Sequence, residues 1–271
     1  MAIAHSRESF YRLTQRNLHR KNILIEGDSW MSHPLVGNLT VQLNQYLRPR
    51  CNFFSIGEIG HLAKDMMSGY QLEFFQSVLR AKQWKFDLII MSAGGNDILE
   101  NSQTKFALKH LITNAGGDDY RAYIVEPLFS QVLDEVIDAY QTLIATRDEF
   151  AANCPIVTHT YDFMFPRNLG FDALGIKKGP WVYPAMIDNG ITNQQTQREI
   201  IKLMLLDFKA RLIALEGQHN NFHVVDTQGC LDDRTRWPLN ISQWDDEIHP
   251  DSAGFKKLVR ERVGPNVKQL L

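Results

Sequence analysis

The chain has 271 residues, of which 44% are hydrophobic and 22% charged, and its formal net charge is -2. This composition is ordinary for a globular protein, and the near-neutral charge does not favour nucleic acid or anionic lipid as a partner. No apolar run reaches the roughly 20 residues that a transmembrane helix needs. We therefore expect no nucleic-acid partner and no stable insertion into a membrane.

The first 22 residues are rich in Arg and His and lack the continuous apolar core of a secretory signal. We interpret them as a surface helix whose apolar residues Phe10, Leu13 and Leu18 dock on the body of the protein. An Arg-rich organelle transit peptide is the alternative interpretation. The surface-helix interpretation leads us to expect a cytoplasmic location.

Three cysteines, Cys51, Cys154 and Cys230, are present. Their number is odd and no two of them have the CxxC spacing, which argues against a disulfide framework and a structural zinc site. We expect buried free thiols in a reducing compartment.

Five short apolar runs are predicted strands, each rich in β-branched or aromatic residues and closed by glycine or polar residues. They are apolar throughout rather than alternating, which is typical of parallel strands covered on both faces. The runs are residues 22–27, 52–57, 86–95, 155–163 and 221–229.

Longer segments with helical spacing lie between and after these runs. The predicted helices are residues 35–47, 61–84, 124–150, 193–217 and 251–271, the last with Pro250 as its first-turn proline. Repeated β-α order predicts a doubly wound parallel sheet in a single domain spanning residues 1–271. Two irregular insertions, near residues 100–121 and 164–192, interrupt that order and are long for connections within a compact domain.

Chemically useful residues follow several of the predicted strands. Ser29 follows the first strand, a loop with Gly57 and Gly60 follows the second, and Asn96 follows the third. The sequence WDDEIHP, which contains Asp246 and His249, precedes the last helix. Ligands of open α/β sheets bind beyond the carboxyl ends of the strands, so we expect these four segments to meet at one edge.

This set of residue types suits acyl transfer. A serine hydroxyl becomes an effective nucleophile when a histidine takes its proton, and a carboxylate on the far ring nitrogen fixes the histidine tautomer. Asp246 and His249 are close enough along the chain for that contact. The oxyanion that forms during attack needs preorganised donors, which the Ser29 backbone N–H, a loop glycine N–H and the Asn96 amide could supply.

The four segments, in this order, resemble the four blocks of the SGNH hydrolases, also called the GDSL esterase/lipase family. The resemblance covers residues from about 23 to 255 and rests on GDS, the glycine loop, GGND and DxxHP. It implies a three-layer α/β/α sandwich with a five-stranded parallel sheet of flavodoxin-like type, and no metal or other cofactor. It implies catalytic roles for Ser29, Asp246 and His249, and an oxyanion hole formed by Ser29, Gly60 and Asn96.

Two departures from the family pattern bear on these assignments. Trp30 stands where a leucine often follows GDS, and Ser55 stands where the second block often carries an asparagine. The second departure leaves Gly57 open as an alternative to Gly60.

Further residues are candidates for contact with substrate. Trp30, Asp162, Trp181 and Tyr183 are possible substrate-binding residues, with packing as the alternative for each. Arg167 is interpreted as a solvated surface charge, with an anionic substrate group as the alternative. Of the other histidines, His33 is expected to point away from Ser29, and His159 is expected in the core or at its rim.

The sequence favours a serine esterase or thioesterase acting on a small-molecule acyl ester or thioester. An acyltransferase with the same triad, and a non-catalytic binding module on the same scaffold, are the alternatives. The acyl chain, the leaving group and the oligomeric state are not specified by these patterns.

Overall fold

The structure is a computed structural model that describes residues 2–33, 37–99, 107–173, 176–231 and 243–271. The predicted helix start at residue 35 and residues 100–106 of the first insertion lie outside these ranges.

A parallel sheet forms the centre of the fold. Its strands are β1 Ile3–Ala4, β2 Lys21–Gly27, β3 Cys51–Ser55, β4 Leu88–Ser92, β5 Ile156–His159 and β8 Phe222–Val225. They lie in the order β1-β3-β2-β4-β5-β8. All five predicted strands are present, and the expected flavodoxin-like architecture is confirmed. A sixth strand, β1, pairs with β3 at the edge and is only two residues long, too short for a periodic pattern to reveal it.

Helices flank this sheet. They are α1 Arg7–Arg16, α2 Ser29–Ser32, α3 Leu39–Tyr46, α4 Ala63–Met66, α5 Gly69–Leu79, α6 Gly95–Leu99, α7 Leu108–Leu111, α8 Glu126–Phe150, α9 Tyr183–Asp188, α10 Gln194–Glu216, α11 Ser252–Leu258 and α12 Gly264–Leu270. One group centres on α8, which contacts α4, α5, α6, α7 and α10, and another consists of α3, α11, α12 and a π-helical turn at Val259–Val263.

The amino-terminal segment forms α1 and packs on the sheet. Ser6 caps the helix by accepting the Ser9 backbone N–H at 3.2 Å. Phe10 is fully buried, stacking on Phe54 at 5.0 Å and on Phe86 at 5.4 Å between ring centroids. Leu18 is 78% exposed, so the expectation that it docks on the body is wrong. It lies beyond the end of α1, where the helical periodicity no longer applies.

Two predicted helices are divided or shifted. The predicted helix at 61–84 splits into α4 and α5 around Ser68, and Gly69 has a positive φ of 50°. The final helix begins at Ser252, because the Asp251 side chain accepts the Gly254 backbone N–H at 2.7 Å and acts as the N-cap. Pro250 therefore precedes the helix instead of occupying its first turn.

The second insertion has structure of its own. Strands β6, Phe171–Ala173, and β7, Ile176–Lys178, pair as an antiparallel hairpin, and α9 follows it. The described part of the first insertion contains α7 and a 3₁₀ turn at Tyr120–Tyr123. Within the described residues, no helix is long and apolar enough to cross a membrane.

The order of the strands determines where a ligand site forms. Strand β3 lies on one side of β2, and β4 lies on the other side. The connection that leaves β2 therefore runs toward one edge of the sheet, and the connection that leaves β4 runs toward the opposite edge. Gly27 pairs with Ser92, which brings the carboxyl ends of these two strands level. In open α/β sheets this is the crevice in which ligands bind.

A buried carboxyl group lies in β2 just before that crevice. Glu26 is fully buried, and it accepts hydrogen bonds from the Gly27 backbone N–H at 2.9 Å and from Gln71 Nε2 at 3.1 Å. Burial raises its pKa to about 8, while these two hydrogen bonds lower it. The group is therefore protonated in the folded protein at neutral pH, whereas an unfolded glutamate is ionised.

We predict that Glu26→Gln changes the pH dependence of stability. The native carboxyl holds its proton up to about pH 8, so its contribution to stability is full below its unfolded pKa of 4.5 and is lost as pH rises toward 8. The variant lacks this loss. Its unfolding free energy, relative to the unmodified protein, should rise with pH across this range by up to about 1.4 kcal/mol per pH unit. Urea unfolding at several pH values measures it.

Glu73→Gln is the control, because Glu73 is exposed on α5. Its stability difference from the unmodified protein should stay flat over the same range. A flat difference for Glu26→Gln would show that Glu26 is ionised in the native state.

Candidate active site

Ser29 is the first residue of α2, directly after β2. Asp28 caps this short helix, its Oδ1 accepting the Trp30 backbone N–H at 3.0 Å. Glycine is required at two positions near Ser29, one in the turn before it and one in the second loop. Gly27 has a φ of 153°, and a Cβ on Gly57 in the second loop would lie 2.4 Å from the Gly27 carbonyl oxygen. Close approach of these two backbones sets the second loop beside Ser29.

Ser29, His249 and Asp246 form a continuous hydrogen-bonded chain. The Ser29 Oγ lies 2.7 Å from the His249 Nε2, and the His249 Nδ1 lies 2.6 Å from the Asp246 Oδ2. The serine and the histidine are 220 residues apart in the sequence and belong to different elements. All three residues are at most 5% exposed. With Asp246 accepting the Nδ1 proton, Nε2 is left as the proton acceptor for the serine.

The second oxygen of Asp246 fixes the turn that carries the histidine. Its Oδ1 accepts the backbone N–H groups of Ile248 at 2.8 Å and His249 at 2.7 Å. The carboxylate thus holds both the backbone and the ring of the same histidine. This geometry distinguishes Asp246 from its acidic neighbours Asp245 and Glu247, which do not contact the ring.

The loop that carries Gly60 is hydrogen-bonded to helix α6, which carries Asn96. The Asn96 Nδ2 donates to the His61 carbonyl oxygen at 3.0 Å, and Asp97 accepts the Ala63 backbone N–H at 3.0 Å. Gly60 precedes His61, is exposed and has a φ of 80°. The structure therefore brings Gly60 and Asn96 to the same edge of the sheet as Ser29.

The family model of the GDSL-like lipases/acylhydrolases matches residues 15–261. The chain belongs to this family. As a GDSL hydrolase it acts on ester bonds. The family match confirms the resemblance inferred from the four sequence blocks. A search of curated proteins found no match to the chain.

Solved structures share the fold at low sequence identity. An extracellular lipase from Streptomyces rimosus has a TM-score of 0.55 and 14% identity, with 93% of this chain and 100% of that chain covered. The lipase Lip_vut3 from a goat rumen metagenome has a TM-score of 0.53 and 14% identity, covering 89% and 94%. Est24, a carbohydrate acetylesterase from Sinorhizobium meliloti, has a TM-score of 0.52 and 12% identity, covering 93% and 100%.

A buried network supports Ser29 of this GDSL hydrolase from below. Besides the Trp30 N–H, the Asp28 carboxylate accepts the Ser92 Oγ at 3.0 Å and the Tyr161 hydroxyl at 2.5 Å. Burial raises the pKa of Asp28, whereas the three donors and nearby His249 lower it. These contacts hold the first turn of α2, and with it Ser29, on the ends of β4 and β5.

His159 completes this network as a neutral group. Its Nδ1 accepts the Tyr161 backbone N–H at 3.2 Å, so the proton lies on Nε2, which donates to Ser92 Oγ at 2.9 Å. Burial lowers its pKa to about 3. The expected core placement of His159 agrees with this position. The sequence did not predict Tyr161 and Ser92 as partners of Asp28. Their only signal is a position at the end of a strand, which does not identify a hydrogen-bond partner.

The structure places Trp30 beneath the site, which corrects its assignment as a substrate-binding residue. Its indole is 3% exposed, stacks on His159 at 5.3 Å between centroids and donates from Nε1 to the Ile248 carbonyl at 3.2 Å. It therefore packs α2 against the turn that carries His249.

Asp162 is also not directed at substrate. It is 2% exposed, and its carboxylate accepts backbone N–H groups from Phe163 and Gly229, both at 2.7 Å, and from Leu231 at 2.6 Å. It ties the end of β5 to the loop after β8. Its burial and these three backbone bonds give Asp162 a structural role, which corrects the substrate-binding assignment.

Trp181, by contrast, lies beside His249, and the placement of Tyr183 at the substrate stays a prediction. The Trp181 ring meets the His249 ring edge-on at 5.5 Å between centroids, and both Trp181 and Tyr183 are half-buried. His33 lies against the same imidazole with a centroid distance of 5.0 Å, so the expectation that it points away is wrong. Burial lowers the pKa of His33 to about 4, with nearby His249 acting in the same direction, which keeps it neutral at pH 7.

The cysteines do not offer a second nucleophile. All three are buried free thiols, and burial raises the pKa of Cys51 to about 11 and that of Cys154 to about 12. In the described part of the chain, no group of three or more His, Cys, Asp or Glu residues could hold a metal ion.

We predict that Tyr161→Phe destabilises the protein. It removes a donor from the buried Asp28 carboxylate without leaving a cavity, so unfolding free energy should fall by about 1–3 kcal/mol. Chemical denaturation measures the change.

Tyr11→Phe is the control, because Tyr11 is 44% exposed on α1. It should change the unfolding free energy by less than about 0.5 kcal/mol. Equal stability of the two variants would contradict the role given to the Tyr161 hydroxyl.

Proposed function

We propose that the chain hydrolyses small acyl esters or thioesters through a covalent acyl-enzyme on Ser29. The observation that carries this proposal is the Ser29–His249–Asp246 hydrogen-bonded chain, with both contacts at 2.7 Å or less. Membership of the GDSL family supports it. The alternative of a non-catalytic module does not account for a complete nucleophile, base and orienting acid in contact.

In the first step Ser29 Oγ attacks the acyl carbonyl while His249 Nε2 takes its proton. The imidazolium that forms is stabilised by Asp246 through Nδ1. The same Nε2 proton then passes to the leaving oxygen or sulfur, the bond to the leaving group breaks, and the acyl group stays on Ser29. Water then attacks the acyl carbonyl while His249 Nε2 takes its proton. The bond between the acyl group and Ser29 Oγ breaks, the proton passes from Nε2 to Oγ, and the acid leaves.

The oxyanion formed in each step needs hydrogen-bond donors already in place. We assign these to the backbone N–H groups of Ser29 and Gly60 and to the Asn96 side-chain amide. One Asn96 amide hydrogen is bound to the His61 carbonyl at 3.0 Å, which orients the group and leaves its second hydrogen for the oxyanion. The left-handed φ of 80° at Gly60 is a conformation that glycine adopts without strain.

Transfer of the acyl group to an alcohol instead of water uses the same steps up to the acyl-enzyme. The described residues show no feature that favours an acceptor alcohol over water. We therefore propose hydrolysis, and measuring product partition with added alcohols distinguishes the two reactions.

We predict that Ser29→Ala abolishes both hydrolysis of p-nitrophenyl acetate and labelling by a fluorophosphonate probe, because Ser29 is the nucleophile that His249 activates. Loss of kcat on the order of 10⁶-fold is expected for a triad serine. Ser32→Ala, in the same short helix, is the control and should retain labelling. Retained labelling in Ser29→Ala would exclude Ser29 as the nucleophile.

We predict that Asn96→Ala lowers kcat by roughly 10²–10³-fold with a much smaller change in KM, since its amide binds charge that develops only in the transition state. Asn266→Ala is the control, because Asn266 is exposed on the carboxyl-terminal helix α12. Steady-state kinetics on p-nitrophenyl acetate give both constants. An increase in KM alone would instead assign Asn96 to ground-state binding.

A further inference from the structure

Glu247 is a fully buried acid in the same turn as Asp246 and His249. Its carboxylate faces away from the histidine and accepts backbone N–H groups from a different part of the chain. Oε1 accepts from Trp181 and Val182, and Oε2 accepts from Tyr183 at 3.1 Å and from Arg167 at 3.3 Å. Each oxygen therefore serves two donors.

These donors lie within the second insertion, on either side of its hairpin. Arg167 precedes residues 168–180 and Trp181 follows them, so the Glu247 carboxylate closes the base of this loop. Two more contacts reinforce the junction: the Phe165 N–H donates to the Glu247 carbonyl at 3.1 Å, and Arg167 Nη2 donates to the Asp246 carbonyl at 2.8 Å. The insertion is thereby fastened to the catalytic turn.

Trp181 gains its position from this junction. Its backbone N–H binds Glu247, while its half-buried ring stands edge-on to the His249 ring at 5.5 Å. His249 must deliver a proton to the departing oxygen, so the leaving group of the substrate lies next to this imidazole. Trp181 therefore borders the part of the site that receives the alcohol of an ester.

We propose that Trp181 binds the alcohol portion of the substrate, and that Glu247 is the positioning residue that holds Trp181 there. This inference rests on the proposed esterase function. It predicts a preference for alcohols with an apolar or ring face that packs on the indole. Small alkyl alcohols reach the serine without touching Trp181 and gain nothing from it.

A carboxylate is required at this position. Glutamine keeps one accepting oxygen, but its NH₂ group would face two backbone N–H donors and lose both hydrogen bonds. Burial raises the pKa of Glu247 to about 7, and the four N–H groups act in the opposite direction. All four hydrogen bonds of this buried carboxylate go to the second insertion. We therefore assign to Glu247 the role of placing that insertion.

The test compares two acetate esters, 1-naphthyl acetate and ethyl acetate, which give the same acetyl-enzyme. We expect Trp181→Ala and Glu247→Gln each to lower kcat/KM for 1-naphthyl acetate on the order of tenfold more than kcat/KM for ethyl acetate. The double variant should match Trp181→Ala alone, because Glu247 acts through Trp181. Equal losses on both esters, or additive losses in the double variant, would overturn the proposal.

Asp245→Asn is the matched control. Asp245 is exposed in the same turn, so the substitution removes an acidic group near His249 while the Glu247 hydrogen bonds to the insertion stay in place. Its ratio of kcat/KM for the two esters should remain that of the unmodified protein. A shift in this ratio equal to that of Glu247→Gln would attribute the effect to charge and overturn the positioning role.

Fluorophosphonate labelling separates this inference from the proposed function. Glu247→Gln and Trp181→Ala should both label at Ser29, whereas failure of the unmodified protein to label would refute the esterase mechanism itself. If Glu247→Gln does not fold, as judged by its thermal unfolding transition, Trp181→Ala decides. Unchanged kcat/KM for 1-naphthyl acetate in that variant would refute the assignment of Trp181.

Discussion

Buried carboxylates bound to backbone N–H groups hold the carboxyl edge of this sheet together. An acid that leaves water must find hydrogen-bond donors, and amide groups of neighbouring loops supply them here. Each such pair joins a strand end or turn to a second segment, or fixes the backbone of its own turn. The acids are Asp28, Asp97, Asp162, Asp246 and Glu247. Because parallel strands end together, these short contacts are sufficient to assemble loops that are distant in sequence.

The reacting groups depend on this scaffold for their alignment. Ser29 lies on the first turn of a four-residue helix, and His249 lies on a turn without regular structure. Neither element would be rigid alone, because short helices are marginal in water. Asp28 fixes the first of them and Asp246 fixes the second, and Trp30 packs between the two. Acyl transfer requires such alignment before the substrate arrives, since misplacement of about 1 Å can reduce the rate on the order of a hundredfold.

Sequence alone was sufficient for the parts of the fold that depend on local pattern. The five long strands follow from apolar runs, and Asp246 and His249 are three residues apart in one turn. The contacts that reassign Trp30 and Asp162 join residues far apart in the chain, where no periodicity applies. An aromatic after GDS suits either a pocket or a core. Trp30 lies in the core because it packs against β5 and the carboxyl-terminal turn, and the positions of those two elements depend on the tertiary structure.

The three acidic side chains of the carboxyl-terminal turn point in different directions. Asp246 faces the imidazole, Asp245 faces solvent, and Glu247 faces the insertion. One turn therefore performs two tasks with different side chains: Asp246 holds the His249 ring, and Glu247 holds the insertion. The insertion is bound to this turn through the Glu247 carboxylate and the Asp246 carbonyl, and neither contact uses the Asp246 carboxylate that holds His249. In the proposed arrangement, Glu247 attaches the insertion to this turn, and Trp181 contacts the alcohol portion of the substrate.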